Sequence, residues 1–344
     1  MFEKVLLGGY THKNGEGVYV ASFDSKTGHL TTPSAYIKKI GSPTYLAVSK
    51  DNYAYLIDDH ADQSGVAAYE LNSEEPRLIN ENIKVGTSPA HVMLDEQRQL
   101  IFASNYHMGK INVYRINQDK TISEIDEVVH QGNGPRPEQE SSHVHFTALT
   151  PDRRVVAVDL GNDTLTTYDV TEEGKLKLVQ TLELPDGYGP RHLVFNEKEP
   201  IAYLLGELSS QVSALKYNES DGSFSLVSSV STIPTTWTAH NGAAAIRISN
   251  DQRFLYVSNR GFNSVTVFAI NRDGLKLTEI QQISSEGDFP RDFNLDLTNN
   301  FILLVNQNTS NGTIYKRNSE NGKLTLVEKN IVTPECVNVL FLKR

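Results

Sequence analysis

Two stretches, PAHVMLDEQRQLIFASNYHMGKINVYRINQDKTISEI at residues 89–125 and PRHLVFNEKEPIAYLLGELSSQVSALKYNESDGSFSLV at residues 190–227, follow one pattern. Each opens on proline, runs through an alternating strand and a polar turn, continues as an apolar strand ending in a polar pair, and returns in a V-x-V-Y-like strand. β-Branched and aromatic runs bounded by Gly, Asn, Asp and Pro are strand signals, and no segment carries a sustained helical period. Outward from these two copies, the same opening recurs at Pro43, Pro290 and Pro334, while His143 and Ala243 hold the register without a proline. The seven anchors, at 43, 89, 143, 190, 243, 290 and 334, are spaced by 44 to 54 residues, the length of one four-stranded propeller blade. The last copy, PECVNVLFLKR (334–344), holds only an opening strand, whereas KVLLGGYT (4–11) reads as a second strand with no first. Joining them completes a blade and removes the free sheet edge of an open ring. The sequence thus predicts an all-β, single-domain, seven-bladed β-propeller over residues 1–344, closed by pairing of its N- and C-terminal strands. A long β-sandwich or an open solenoid is the competing reading. The blade made from both termini is blade 1, and the anchors from 43 to 290 open blades 2 to 7.

Composition narrows the function. The chain has 32 basic and 42 acidic side chains, a net charge of −10, and no basic run, which argues against a nucleic-acid partner. The apolar stretch near Met1 is too short for a signal h-region, and no segment approaches the roughly 18 apolar residues of a membrane span, so neither a leader nor a membrane partner is expected. The lone Cys336 rules out internal disulfides and thiolate metal clusters and suits a reducing compartment; the expected location is the cytoplasm.

In an antiparallel blade the start of the first strand and the end of the second lie on one rim of the channel. Positions after the anchors are Thr44 and Tyr45, Ala90 and His91, Val144 and His145, Arg191 and His192, Ala244 and Ala245, Arg291 and Asp292, Glu335 and Cys336. The second-strand ends are Gly9 and Tyr10, Asp59 and His60, Asn105 and Tyr106, Asp159 and Leu160, Gly206 and Glu207, Asn259 and Arg260, Asn306 and Gln307. A purely structural repeat would fill these slots with interchangeable small polar residues, yet blades 4 to 7 place His143, His145, Arg191, His192, Glu207, Arg260, Arg291 and Gln307 there. Arginines converging on a narrow mouth repel one another unless an anion relieves them through bidentate hydrogen bonds. The bland alternative pairs them with Asp159, Asp292 or Glu207. His91 reads as a structural histidine bonding a neighbouring blade, His192 fits either role, and Asn259 and Asn306 read as turn caps.

No G-x-S-x-G elbow and no Gly-rich phosphate loop is present, and Cys336 has no evident base. H-V-H at 143–145 could in principle hold a metal, but no third ligand stands out, so neither a metal nor a cofactor is expected. Base-assisted attack of water on an activated carbonyl, or the reverse ring closure, remains, with arginines holding an anionic substrate. Histidine titrates near neutrality, which makes His143 or His145 the candidate base. Glu207, between Arg191 and Arg260, is expected to orient an arginine, a water or a substrate hydroxyl. His192, Arg291, Gln307 and Tyr106 complete the expected substrate contacts. Arg136, in the loop 131–142, reads either as a further phosphate contact folded over the mouth or as a solvated loop residue.

HVHFTALTPDRRVVAVDLGNDTLTTYDV (143–170), YGPRHLVFNEKEPIAYLLGELSSQVSALKY (188–217), FLYVSNRGFNSVTVFAI (254–270) and FPRDFNLDLTNNFILLVNQNTSNGTIYKRNSENGKL (289–324) together resemble the lactonase seven-bladed propeller family. That family includes bacterial 6-phosphogluconolactonases and is related to a fungal carboxymuconate-lactonising cyclase. The resemblance covers essentially the whole chain. It implies metal-free hydrolysis of 6-phosphogluconolactone in the pentose phosphate pathway, with His143 or His145, Arg191, Glu207 and Arg260 at the site. TWTAHNGAAAIRIS (236–249) and DLTNN (296–300) depart from the family pattern. A cycloisomerase, a lactonase for an unphosphorylated substrate, and a non-catalytic interaction scaffold stand as alternatives; with Trp237 the only tryptophan, little material exists for a docking patch.

Overall fold

Blade by blade, hydrophobicity falls from the channel outwards. In blade 5 the second strand, Ile201–Gly206 (IAYLLG), is buried at every position. The third, Gln211–Asn218, alternates towards its end, and the fourth, Ser223–Ser231, is mostly wet. A strand covered on both faces must be apolar throughout, while an outer strand needs one apolar side. The computed structural model, which describes residues 1–72 and 75–342, contains seven such sheets. Blades 2 to 7 are four-stranded in simple sequence order, with first strands Leu46–Val48, His91–Asp95, Val144–Leu149, Pro190–Phe195, Gly242–Ile248 and Pro290–Leu295. Their second strands are Tyr53–His60, Leu100–Asn105, Val155–Asp159, Ile201–Gly206, Phe254–Arg260 and Phe301–Asn306.

Blade 1 is the closure. Cys336–Leu342 forms its first strand beside Phe2–Gly9, with Lys4 opposite Leu342, Leu7 opposite Val339 and Gly9 opposite Cys336; Val18–Asp24 follows outside. The ring is held by seven hydrophobic clusters, one at each junction between neighbouring blades. The seventh joins blades 7 and 1 through Phe23, Phe301, Val305 and Phe341, with the Phe23 ring edge-on to both other phenyls at 5.6 and 5.3 Å. Tyrosines fasten adjacent blades: Tyr203 Oη donates to the Gly274 carbonyl and Tyr256 Oη to the Gly322 carbonyl, each at 2.9 Å. Gly322 sits at φ +74°, and a Cβ there would lie 2.2 Å from the Phe254 ring, so this turn accepts only glycine. Asn259 and Asn306 cap backbone as expected, donating from Nδ2 to the Thr232 and Ser285 carbonyls at 3.1 Å. One short 3-10 turn, Pro137–Gln139, is the only helical element among the described residues, and no helix is long and apolar enough to cross a membrane.

Candidate active site

Five innermost strands carry one extra residue close to where they begin. Val144 faces Asp159 and Phe146 faces Val158, leaving His145 unpaired. In the same way Arg191 bulges between Pro190 and His192, Arg291 between Pro290 and Asp292, and Val337 between Cys336 and Asn338. Blade 6 shifts register between Ala243 and Ile246. A β-bulge re-aims a side chain that regular pairing would send elsewhere. His145, Arg191, Arg291 and Val337 all line one cavity of about 540 Å³.

A second ring of residues follows the second strands. The amides of Tyr10, Asp59, Leu160, Glu207 and Gln307 each donate, at 2.7–3.1 Å, to a carbonyl at the entry of their own blade's first strand. Tyr106 and Arg260 hold the corresponding places in blades 3 and 6. Tyr10, Asp59, Tyr106, Glu207 and Arg260 line the cavity, while Leu160 and Gln307 do not. In blade 2 the rim slot is therefore Asp59 alone; His60 has turned into the hairpin opposite Gln63.

The arginines meet on one wall. Arg260 Nη2 lies 2.8 Å from Glu207 Oε2. Arg191 Nε reaches the same oxygen at 2.8 Å, near enough for an ion pair but out of line for a hydrogen bond. Arg191 also donates to the Ala244 carbonyl and, at 3.1 Å, to His192 Nε2. Arg260 donates to the Gly242 and Ala243 carbonyls and lies over the Phe289 ring. Arg291 has no carboxylate partner among the described residues; Nη1 donates to Gln307 Oε1 at 3.2 Å, and the guanidinium covers the Tyr10 ring. Burial beside Arg260 and Arg291 brings Arg191 down to about 9 and lowers Arg260 as well. Burial would raise Glu207, but Arg260 and Arg191 outweigh it and hold the carboxyl below its ordinary range. The other suggested acidic partners serve elsewhere. Asp292 pairs with Arg247 at 2.7 Å, and Asp159 binds His130 Nδ1 at 2.9 Å, the His143 amide and the Ser142 hydroxyl.

The two histidines of H-V-H separate. His143 precedes its strand, lies outside the cavity, donates from Nδ1 to the Tyr106 carbonyl at 2.9 Å and stacks on the Tyr106 ring at 4.3 Å. His145 faces the cavity; its Nδ1 is buried without a partner. Burial, then the Arg191 charge, keeps His145 and His192 well below the ordinary histidine value, and places His91 at about 3 with Arg247 the second cause. His91 packs between Tyr45 and Phe146 rings, at 4.3 and 4.2 Å, and does not line the cavity. Arg136 lines a separate hollow of about 280 Å³ with Leu208, Ser209 and His240, away from the mouth.

Cavity residues from connecting loops, His12, Thr87, Ser88 and His107, occupy no repeat position and left no signal in the repeat. Asp58, His60 and Glu81 bring ligand-type atoms within 4.8 Å of one another, but outside the cavity.

A family model described as "Lactonase, 7-bladed beta-propeller" matches residues 4–341. The 6-phosphogluconolactonase of Bacillus subtilis (strain 168) is 39 % identical over 341 residues, 98 % of this chain and 97 % of that one. An uncharacterised protein of Lactococcus lactis subsp. cremoris is 40 % identical over 342 residues, 99 % and 100 % of the two chains. Among solved structures, a Lactobacillus plantarum protein matches with TM-score 0.97 at 47 % identity over all of both chains. The Pseudomonas aeruginosa periplasmic gluconolactonase PpgL matches with TM-score 0.92 at 25 % identity over 100 % and 99 %. With a full ring of seven blades, a cationic mouth and a family match across nearly every residue, the chain belongs to the lactonase, 7-bladed β-propeller family of lactone hydrolases.

Proposed function

We propose that the protein hydrolyses a phosphorylated sugar lactone, 6-phosphogluconolactone, to 6-phosphogluconate. The observation that carries this reading is the charge count on one wall: three arginines against the single carboxylate of Glu207, with Arg291 unneutralised. A phosphate gives Arg291 the counter-charge it lacks; a neutral lactone does not. The Bacillus subtilis relative named 6-phosphogluconolactonase supports the same substrate. The gluconolactonase name of the Pseudomonas aeruginosa structure makes the unphosphorylated lactone the comparison substrate.

In this mechanism Arg291 holds the phosphate, and Arg191 and Arg260 face the lactone carbonyl. His145, held neutral by its surroundings, accepts a proton from water as the water attacks C1. The oxyanion that forms is stabilised by the guanidinium groups. As the bond from C1 to the ring oxygen breaks, His145 returns the proton to the departing oxygen, giving the open hydroxy acid. Glu207 fixes both arginines, Gln307 steadies Arg291, His192 receives an Arg191 hydrogen bond, and Tyr106 forms a side wall. His143 supports Tyr106 from behind.

Acid release from enzymatically generated 6-phosphogluconolactone, compared with glucono-δ-lactone, tests this. Turnover of the phosphorylated lactone should fall about 10²–10⁴-fold in His145→Ala and about 10²–10³-fold in Arg260→Ala. Arg291→Ala should raise KM for the phosphorylated lactone only. Hydrolysis no faster than the spontaneous reaction would overturn the proposal.

A further inference from the structure

The cavity has a second wall of opposite character. Across from Arg191, Arg260 and Arg291 stand Asp59, Thr44, Thr87 and Ser88, from blade 2 and the entries to blades 2 and 3. Asp59 holds in blade 2 the slot that Glu207 holds in blade 5: each lies just beyond the site where the second strand meets the entry of the first, and each amide donates to that entry's backbone, at 2.8 and 2.7 Å. The two carboxylates differ in their partners. Glu207 is gripped by two arginines, whereas the Asp59 carboxylate makes no ion pair and no side-chain hydrogen bond with any described residue. An unpaired, half-buried carboxylate in a cavity is an open double acceptor.

Aldonolactone chemistry matches a cavity divided in this way. In a six-membered lactone of a six-carbon sugar acid, C1 with its carbonyl and C5 with the exocyclic C6 flank the ring oxygen. The C2, C3 and C4 hydroxyls leave from the opposite edge. Resting on the sugar-lactone reading above, we infer that Asp59 is a specificity-determining residue that accepts hydrogen bonds from the ring hydroxyls, so that the carbonyl and phosphate edge of the substrate is turned to the arginine wall. Thr44, Thr87 and Ser88 flank that polyol edge. The site thereby favours polyhydroxylated lactones over unsubstituted rings, which offer nothing to Asp59. A diol lost from a charged acceptor leaves that acceptor desolvated and unpaired, the asymmetry that gives hydroxyl-reading sites their selectivity.

Titration calorimetry of wild type and Asp59→Asn with inorganic phosphate and with 6-phosphogluconate separates this role from simple electrostatics. Removing a negative charge strengthens binding of a bare anion, so phosphate should bind as tightly or more tightly to the variant. Loss of the hydroxyl acceptor should weaken 6-phosphogluconate by about 10–100-fold. In kinetics, Asp59→Asn should raise KM for glucono-δ-lactone and its 6-phosphate by a similar factor, with kcat changed much less and unsubstituted δ-valerolactone unaffected. Ligand affinities that move in the same direction, or a variant indistinguishable from wild type, overturn the inference. So does wild-type protein that binds no 6-phosphogluconate. Wild-type protein that binds it with the predicted crossing but hydrolyses no lactone overturns the hydrolase reading alone.

Discussion

His145 is a base made weak by its surroundings and strengthened by its substrate. In the free protein, burial and the neighbouring arginines depress its proton affinity, so the neutral form persists well below pH 6.5. An anion that offsets the arginine charge raises that affinity again. The acid limb of kcat/KM, which reports the free enzyme, should therefore lie at lower pH than the acid limb of kcat. A pH series on wild type, with His145→Gln as control, checks this; coincident limbs would remove His145 as the base. Glu207 supports the same group from the other side. Glu207→Gln leaves two buried guanidiniums sharing no counter-charge, a change that costs about 3–5 kcal/mol when such a pair is fully buried. With the Glu207 side chain 22 % exposed, the loss should fall at the low end, and millimolar phosphate should restore part of the lost Tm by occupying the same wall.

At the scale of the element, the bulge turns a structural repeat into a site. The strand pattern, the blade spacing and the terminal closure are legible in the sequence because burial imposes period-two alternation on every strand. Which rim residue enters the cavity is only partly legible. Regular alternation puts His143 and His145 on one side, but the extra residue at His145 breaks that rule. The anchor at His143 lies one residue ahead of its strand and Pro334 two ahead of Cys336, so the repeat register puts Glu335 and Cys336 where Val337 stands. Arg191 and Arg291 fall in register because proline starts their strands. Displaced from the cavity lining, Glu335 instead organises a loop. Its Oε2 accepts the amides of Lys13, Asn14 and Gly15 at 2.8–3.0 Å, ordering the segment that carries His12 beside Tyr10. Those amides hold its carboxyl below the ordinary range against the effect of burial. Its contribution is thus present above the unfolded-state value and lost as pH falls through the folded one. Glu335→Ala should lower stability by about 1–3 kcal/mol and speed hydrogen exchange at residues 13–15, leaving exchange in blades 4 and 5 unchanged.

For the whole molecule, acid is the predicted weakness. His91, His145 and His192 all have folded values depressed below 6.5, so the unfolded chain binds more protons below that pH and stability falls as pH drops through it. Three such groups set an upper slope of about 4 kcal/mol per pH unit below 6.5. Thermal melts from pH 7.5 to 5 should show Tm falling steeply on the acid side, and His91→Phe should flatten the curve. Removing residues 336–344 takes away the first strand of blade 1, strips Cys336, Val339 and Phe341 from the junction with blade 7 and exposes the edge of Phe2–Gly9. That chain should aggregate or melt at least 15 °C lower, as read by size exclusion and calorimetry.

The closing pair joins Phe2–Gly9 to a strand, Cys336–Leu342, that is made far later. At translation speeds of about 5–20 residues per second, Phe2–Gly9 waits roughly 20–70 s for its partner. The ring can close only once Cys336–Leu342 has been made, and until then the growing chain carries a bare sheet edge open to mispairing.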